Sequence, residues 1–168
     1  MSHPVVLALF DDATAAAAAA RGLRSMGVAR ERVSIVARSH DEEGVVARAA
    51  GASPGSELED SERASRLGEL GGHLLAAIAL VMPGIGPIVA DGPLAADLGE
   101  AAGHLAGGIA RILEGAGLAR DAAESWESQI RAGAFLVGAH VQPDAVDRAR
   151  DVLGRSGGRQ VAVGTWPE

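Results

Sequence analysis

Apolar positions along the chain follow two kinds of pattern, and the change between them divides it. Pro4 to Phe10 (PVVLALF) is a short apolar run closed by Asp11 and Asp12, and it predicts a buried strand. Either aspartate can cap a following helix, because its carboxylate accepts from first-turn N–H groups that lack a helical partner. Ala16, Ala19, Ala20, Leu23 and Met26 then recur at helical spacing, and Gly27 ends that helix as a residue free to take positive φ. Val33 to Ala37 predicts the second strand.

From residue 134 the same order returns. Ala134 to Val141 predicts a strand, and Pro143 stands where a helix begins and a missing N–H costs nothing. Ala145, Ala149, Val152 and Leu153 form an apolar stripe, Gly157 and Gly158 end the helix, and Gln160 to Thr165 predicts the last strand. The two helices even end alike, in R-S-M-G and R-S-G-G. Two such βαβ units predict an α+β fold, a ferredoxin-like split βαβ sandwich with both helices on one face of a four-stranded antiparallel sheet. The parts are then residues 1–38 for the first βαβ half and 39–66 for a polar linker. Residues 67–118 form an inserted glycine/alanine-rich helical hairpin, and 119–168 a connecting helix (Ala119 to Ala132) with the second βαβ half.

The insertion has its own pattern. Leu67, Leu70, Leu74, Ile78 and Val81 share one face of a helix running to Met82, and Gly68, Gly72 and Ala76 make a ridge beside it. Pro83-Gly-Ile-Gly-Pro87 predicts a rigid turn. A second arm, from near Pro93, carries Leu94, Leu98, Leu105, Ile109 and Ile112 on one face and Gly99, Gly103 and Gly107 on the next. Glycine within a helix costs about 1 kcal/mol relative to alanine, so three in register imply close helix–helix contact. Packing the two ridges together leaves apolar stripes for the sheet or for a second copy, and so predicts a homo-oligomer.

Composition narrows the possible functions. Of 168 residues 48% are hydrophobic, but much of this is Ala and Gly, with two Phe, two Trp and no Tyr, so the core must be tight and built from small side chains. A net charge of −7 and the lack of any basic stripe exclude nucleic acid as the expected partner. Without cysteine there is neither a disulfide framework nor a thiolate site. MSHPVVLALFDD lacks the basic start and long apolar core of a signal peptide, so the expected location is cytoplasmic. The small-xxx-small ridges also suit membrane helices, but Pro83 ends the run after nine strongly apolar residues from Leu74, about 14 Å of helix against a bilayer core of about 30 Å. Weak membrane-surface association is the most this pattern supports.

No cluster of residues carries a catalytic signature. Gly84-Ile-Gly86 follows a predicted helix and lacks a third glycine, so it reads as a turn rather than a nucleotide loop. Of five histidines, none pairs with another at helical spacing, and no metal or cofactor is expected. His73, on the flank of the apolar stripe, is the better candidate to hold a ligand, and His104 the weaker, since it shares a face with Asp97, Glu100 and Arg111. Trp126, aligned with Ala122, Ala123 and Ile130, reads as a core anchor, with a stacking platform as the alternative. His140 reads as a sheet-face residue, and His3 and His40 as terminus and loop.

Three stretches carry a family resemblance: VVLALFDDATAAAAAARGL, PGIGPIVADGPLAA and ESWESQIRAGAFLVGAHV. Together the chain resembles the bacterial general stress protein 17M-like family, in which a glycine-rich segment interrupts a small α/β domain. The resemblance implies an association with stress responses and supplies no catalytic residues. The expected function is therefore that of a non-enzymatic, stress-associated protein that self-assembles through its glycine-rich hairpin. A carrier of a small apolar or tetrapyrrole ligand held by the hairpin helices is the competing expectation.

Overall fold

Val and Leu crowd strand β1 (His3–Phe10), which is buried from Val5 to Phe10 on both of its faces, as a strand covered from two sides must be. Asp12 caps helix α1 (Ala13–Ser25) by accepting from the Ala15 N–H at 2.8 Å, and Gly27 closes it at φ 101°. A 3-10 turn (Arg30–Arg32) leads into β2 (Val33–Arg38). The computed structural model describes residues 2–38, 78–82, 86–95, 97 and 108–167. Within them follow β3 (Ile78–Met82), β4 (Gly86–Asp91), α2 (Ile109–Gly115) and α3 (Arg120–Arg131). Strand β5 (Phe135–His140), a 3-10 turn (Pro143–Ala145), α4 (Val146–Arg155) and β6 (Arg159–Trp166) complete the order.

The strands form one antiparallel sheet in the order β3-β4-β2-β5-β1-β6. The two βαβ units interleave in it: β1 and β2 flank β5, and β5 and β6 flank β1. Because side chains alternate along each strand, the sheet has two distinct faces. Val6, Ala8, Phe10, Val33, Ile35, Val137 and Ala139 pack under α1 and α4, where Ala16, Ala19, Ala20, Leu23, Ala149 and Leu153 meet them. Val5, Leu7, Leu9, Val36 and Leu136 pack under α2 and α3 with Leu94, Ile109, Leu113, Trp126 and Ile130. The fold is mixed α+β, with helices on both faces of the sheet.

The predicted strands and helices of both halves are found at nearly the predicted limits, and α3 matches the connecting helix. The four expected strands stand together as β2-β5-β1-β6, and among the described residues β4 and β3 extend the sheet to six. The helical hairpin is corrected within the described residues: Ile78–Met82, assigned to the end of its first arm, is strand β3, paired with β4 from Ile78↔Ala90 to Met82↔Gly86. An apolar run of five residues bounded by Pro83-Gly84 fits a strand as well as a buried helix, and here a sheet edge is at hand to pair with. Ile35 to Arg38 of β2 take up Ile88 to Asp91. The second arm is not one continuous helix either. Gly108 is extended (φ −76°, ψ −167°), and α2 starts afresh there, with the Glu127 carboxylate accepting from the Ala110 N–H at 2.8 Å. Gly68, Gly72, Ala76, Gly99, Gly103 and Gly107, and with them the predicted ridge packing, lie outside the described residues.

Candidate functional site

Two places in the described structure have chemistry that the core does not explain: one edge of the sheet and one end of it. The edge is β3. Its inner side pairs with β4, and among the described residues no strand pairs with its outer side. Pro87 stands opposite Val81 and has no N–H, so that position suits a pair that exchanges no hydrogen bonds. Alternation from that pair assigns the bonds to β4 to Ile78, Leu80 and Met82, and leaves the main-chain groups of Ala79 and Val81 for the outer edge. The opposite edge, β6, is partly closed by the chain itself: Ala116 C=O accepts from the Thr165 N–H at 2.8 Å. Gly164 permits this approach, since a Cβ there would run into that carbonyl.

At the end of the sheet lies an imidazole pair, His140 buried and His3 half-buried. His3 begins β1 and His140 ends β5, and Val5 is paired with His140, so the two histidines are diagonal neighbours on one face. His3 Nε2 and His140 Nδ1 are 2.9 Å apart. His140 Nε2 is 3.3 Å from Ser34 Oγ, which accepts from the Leu94 N–H at 3.2 Å. Assigned from this network, the serine hydroxyl donates to His140 Nε2, and His140 Nδ1–H donates to His3 Nε2. Trp166 meets the His140 ring edge-on at 5.2 Å between centroids. Ser34 and His140 are the polar residues buried in the described core. Burial, then the neighbouring His3, then Arg32, lower the His140 pKa from 6.5 to about 4, so the ring is neutral at pH 7. Ser34 has no exposed surface and its oxygen is engaged by the Leu94 amide, so this serine–histidine contact does not present a nucleophile to substrate.

Beside His140 the sheet ends in an open cleft of about 510 Å³. Met26 and Val28 line it from the end of α1, Arg32 from the 3-10 turn before β2, and Asp144 and Arg148 from the start of the second crossover. Both arginines are exposed, and neither has an ion-pair partner among the described residues.

Of the candidate ligand residues, Trp126 is 3% exposed and packed in the core under α3. His73 and His104 lie outside the described residues. The imidazole pair escaped the sequence reading because a search for histidines at helical spacing cannot find two that are 137 residues apart. The signal was available through topology alone: in the expected fold the first strand and the third lie side by side and antiparallel, which brings the start of one to the end of the other. Among the described residues no group of three or more histidine or acidic side chains is arranged to hold a metal ion, and no helix is long and apolar enough to cross a membrane. Compared with family models, curated proteins and solved structures, the chain matches none of them.

Proposed function

We propose that the protein is non-enzymatic and self-associates, with two copies joined through strand β3 of the inserted segment. The two βαβ units serve as its scaffold, read here as a ferredoxin-like core with residues 67–118 inserted between the halves. What supports the core reading is the order β2-β5-β1-β6, with α1 and α4 on one face. What supports self-association is the place of Ile78–Met82: an entirely apolar run (IALVM) lies outermost among the described strands, and alternation from the Val81–Pro87 pair leaves the Ala79 and Val81 main-chain groups for its outer side. An apolar edge strand is a template for another strand, and a second copy supplies an identical one in antiparallel register. The stress association rests on the resemblance of the three sequence segments.

Light scattering coupled to size-exclusion chromatography tests this reading. The full chain is expected to run above its monomer mass of 16.9 kDa. Ala79→Pro removes an outward N–H and leaves the bonds to β4 in place, so that variant is expected to run as a monomer with unchanged circular dichroism. A monomeric wild-type chain, or an oligomer untouched by Ala79→Pro, overturns the assignment.

A further inference from the structure

We propose that the cleft at the end of the sheet binds a small oxyanion carried on an apolar body, held between Arg32 and Arg148. Two features converge on it. Arg32 and Arg148 come from different elements, the turn before β2 and helix α4, and line one cleft without ion-pair partners among the described residues. Asp144 is the single carboxylate in the lining, which leaves an excess of one positive charge on a protein whose net charge is −7. The second feature is the rest of the lining: Met26, Val28 and Val141 form an apolar wall beside these charges. A guanidinium grips a carboxylate or a phosphate through paired N–H donors, and a volume of about 510 Å³ suits a small molecule rather than a polymer. The acidic remainder of the protein repels polyanions and so selects for small ones.

The cleft is coupled to the buried ring at its edge. The charged and titratable groups around His140 are His3 from β1, Arg32 from the turn before β2, and Asp144 and Arg148 across the cleft. Arg32 is one of the groups that disfavour the charged imidazole, so an anion seated on Arg32 offsets that field and raises the His140 titration midpoint. By reciprocity, protonation of His140 tightens anion binding.

The test uses the full chain with two probes, benzoate and inorganic phosphate, followed by calorimetry and by the ring-proton NMR signals of His140. Saturable binding of benzoate, lost about tenfold in each of Arg32→Ala and Arg148→Ala, is the expected result. Phosphate is expected to bind more weakly, having no apolar body, and to move the His140 midpoint upward while remaining anionic across that range. Saturable phosphate binding that equals benzoate and needs both arginines supports the oxyanion site and removes the apolar wall from it. Asp144→Asn is expected to strengthen either probe several-fold. No saturation by either probe below about 10 mM, or binding that survives loss of both arginines, overturns the proposal. All three substituted side chains are exposed, so unchanged circular dichroism is expected throughout. The result does not depend on whether the chain self-associates.

Discussion

The two faces of the sheet are made from the same strands and solve opposite packing problems. Under α1 and α4 the helices bring alanine after alanine, and the backbones lie close. Gly22 is so near α4 that a Cβ there would stand 2.7 Å from Val152 Cγ1. Under α2 and α3 the filling is Leu, Ile and Trp, and this face also holds the buried polar pair Ser34 and His140. The first face is built by βαβ units whose parts are neighbours in sequence. The second is assembled from residues of the inserted segment and the connecting helix. Small residues suffice where the crossover helix is held close by its own two strands. Where the helices arrive from distant segments, larger side chains fill the core, and polar groups are enclosed at its end.

That contrast can be broken by truncating one face and overfilling the other. The largest effect is expected from Trp126→Ala, which should cost about 3–5 kcal/mol in denaturant unfolding, because a nearly fully buried indole leaves a cavity its neighbours cannot close. A loss under about 1 kcal/mol would show that the second face is loosely packed. Acid is expected to act next, and through the second face. His140 titrates near 4 in the fold and near 6.5 unfolded. Below pH 6.5 the unfolded chain takes up a proton that the folded chain refuses, so stability falls with pH. The loss from this group is nil above that window and reaches about 3 kcal/mol at pH 4. Unfolding midpoints of wild type and His140→Asn across pH 7.5 to 4 should show that the variant loses this part of the slope; parallel curves would contradict it.

On the first face enlargement, not truncation, is expected to do the harm. Ala16→Leu should cost about 1–3 kcal/mol by overpacking, since Ala16 has no free surface within an alanine-rich cluster. A neutral or stabilising result would mean that the alanine face contains room. The smallest effect is local: Asp12→Ala removes the side-chain cap of α1 and is expected to cost about 1 kcal/mol, with hydrogen exchange rising first at Ala15.

The repeated halves were legible because each of their signals is local. An aspartate before an alanine stripe, a glycine after it and a short apolar run on either side act through contacts a few residues apart. The inserted segment was misread where two local solutions fit the same residues. Ile78–Met82 satisfies a helical spacing, and Pro83 ends either a helix or a hairpin strand. The edge offered by β2 decided between them, and nothing near Ile78 in sequence reveals it. The candidate site follows the same division. Arg32, His140, Asp144 and Arg148 each look ordinary in sequence, as a turn arginine, a strand end and two helix-start charges.

By itself, then, the sequence determined the strands, the crossover helices, their caps and the small-residue character of one face. Tertiary structure decided that β3 and β4 extend the sheet to six strands among the described residues, that its second face is covered, and that His3 meets His140. Backbone propensity and capping act over one or two turns, whereas an imidazole pair or a two-arginine cleft exists only once antiparallel pairing brings distant strand ends together.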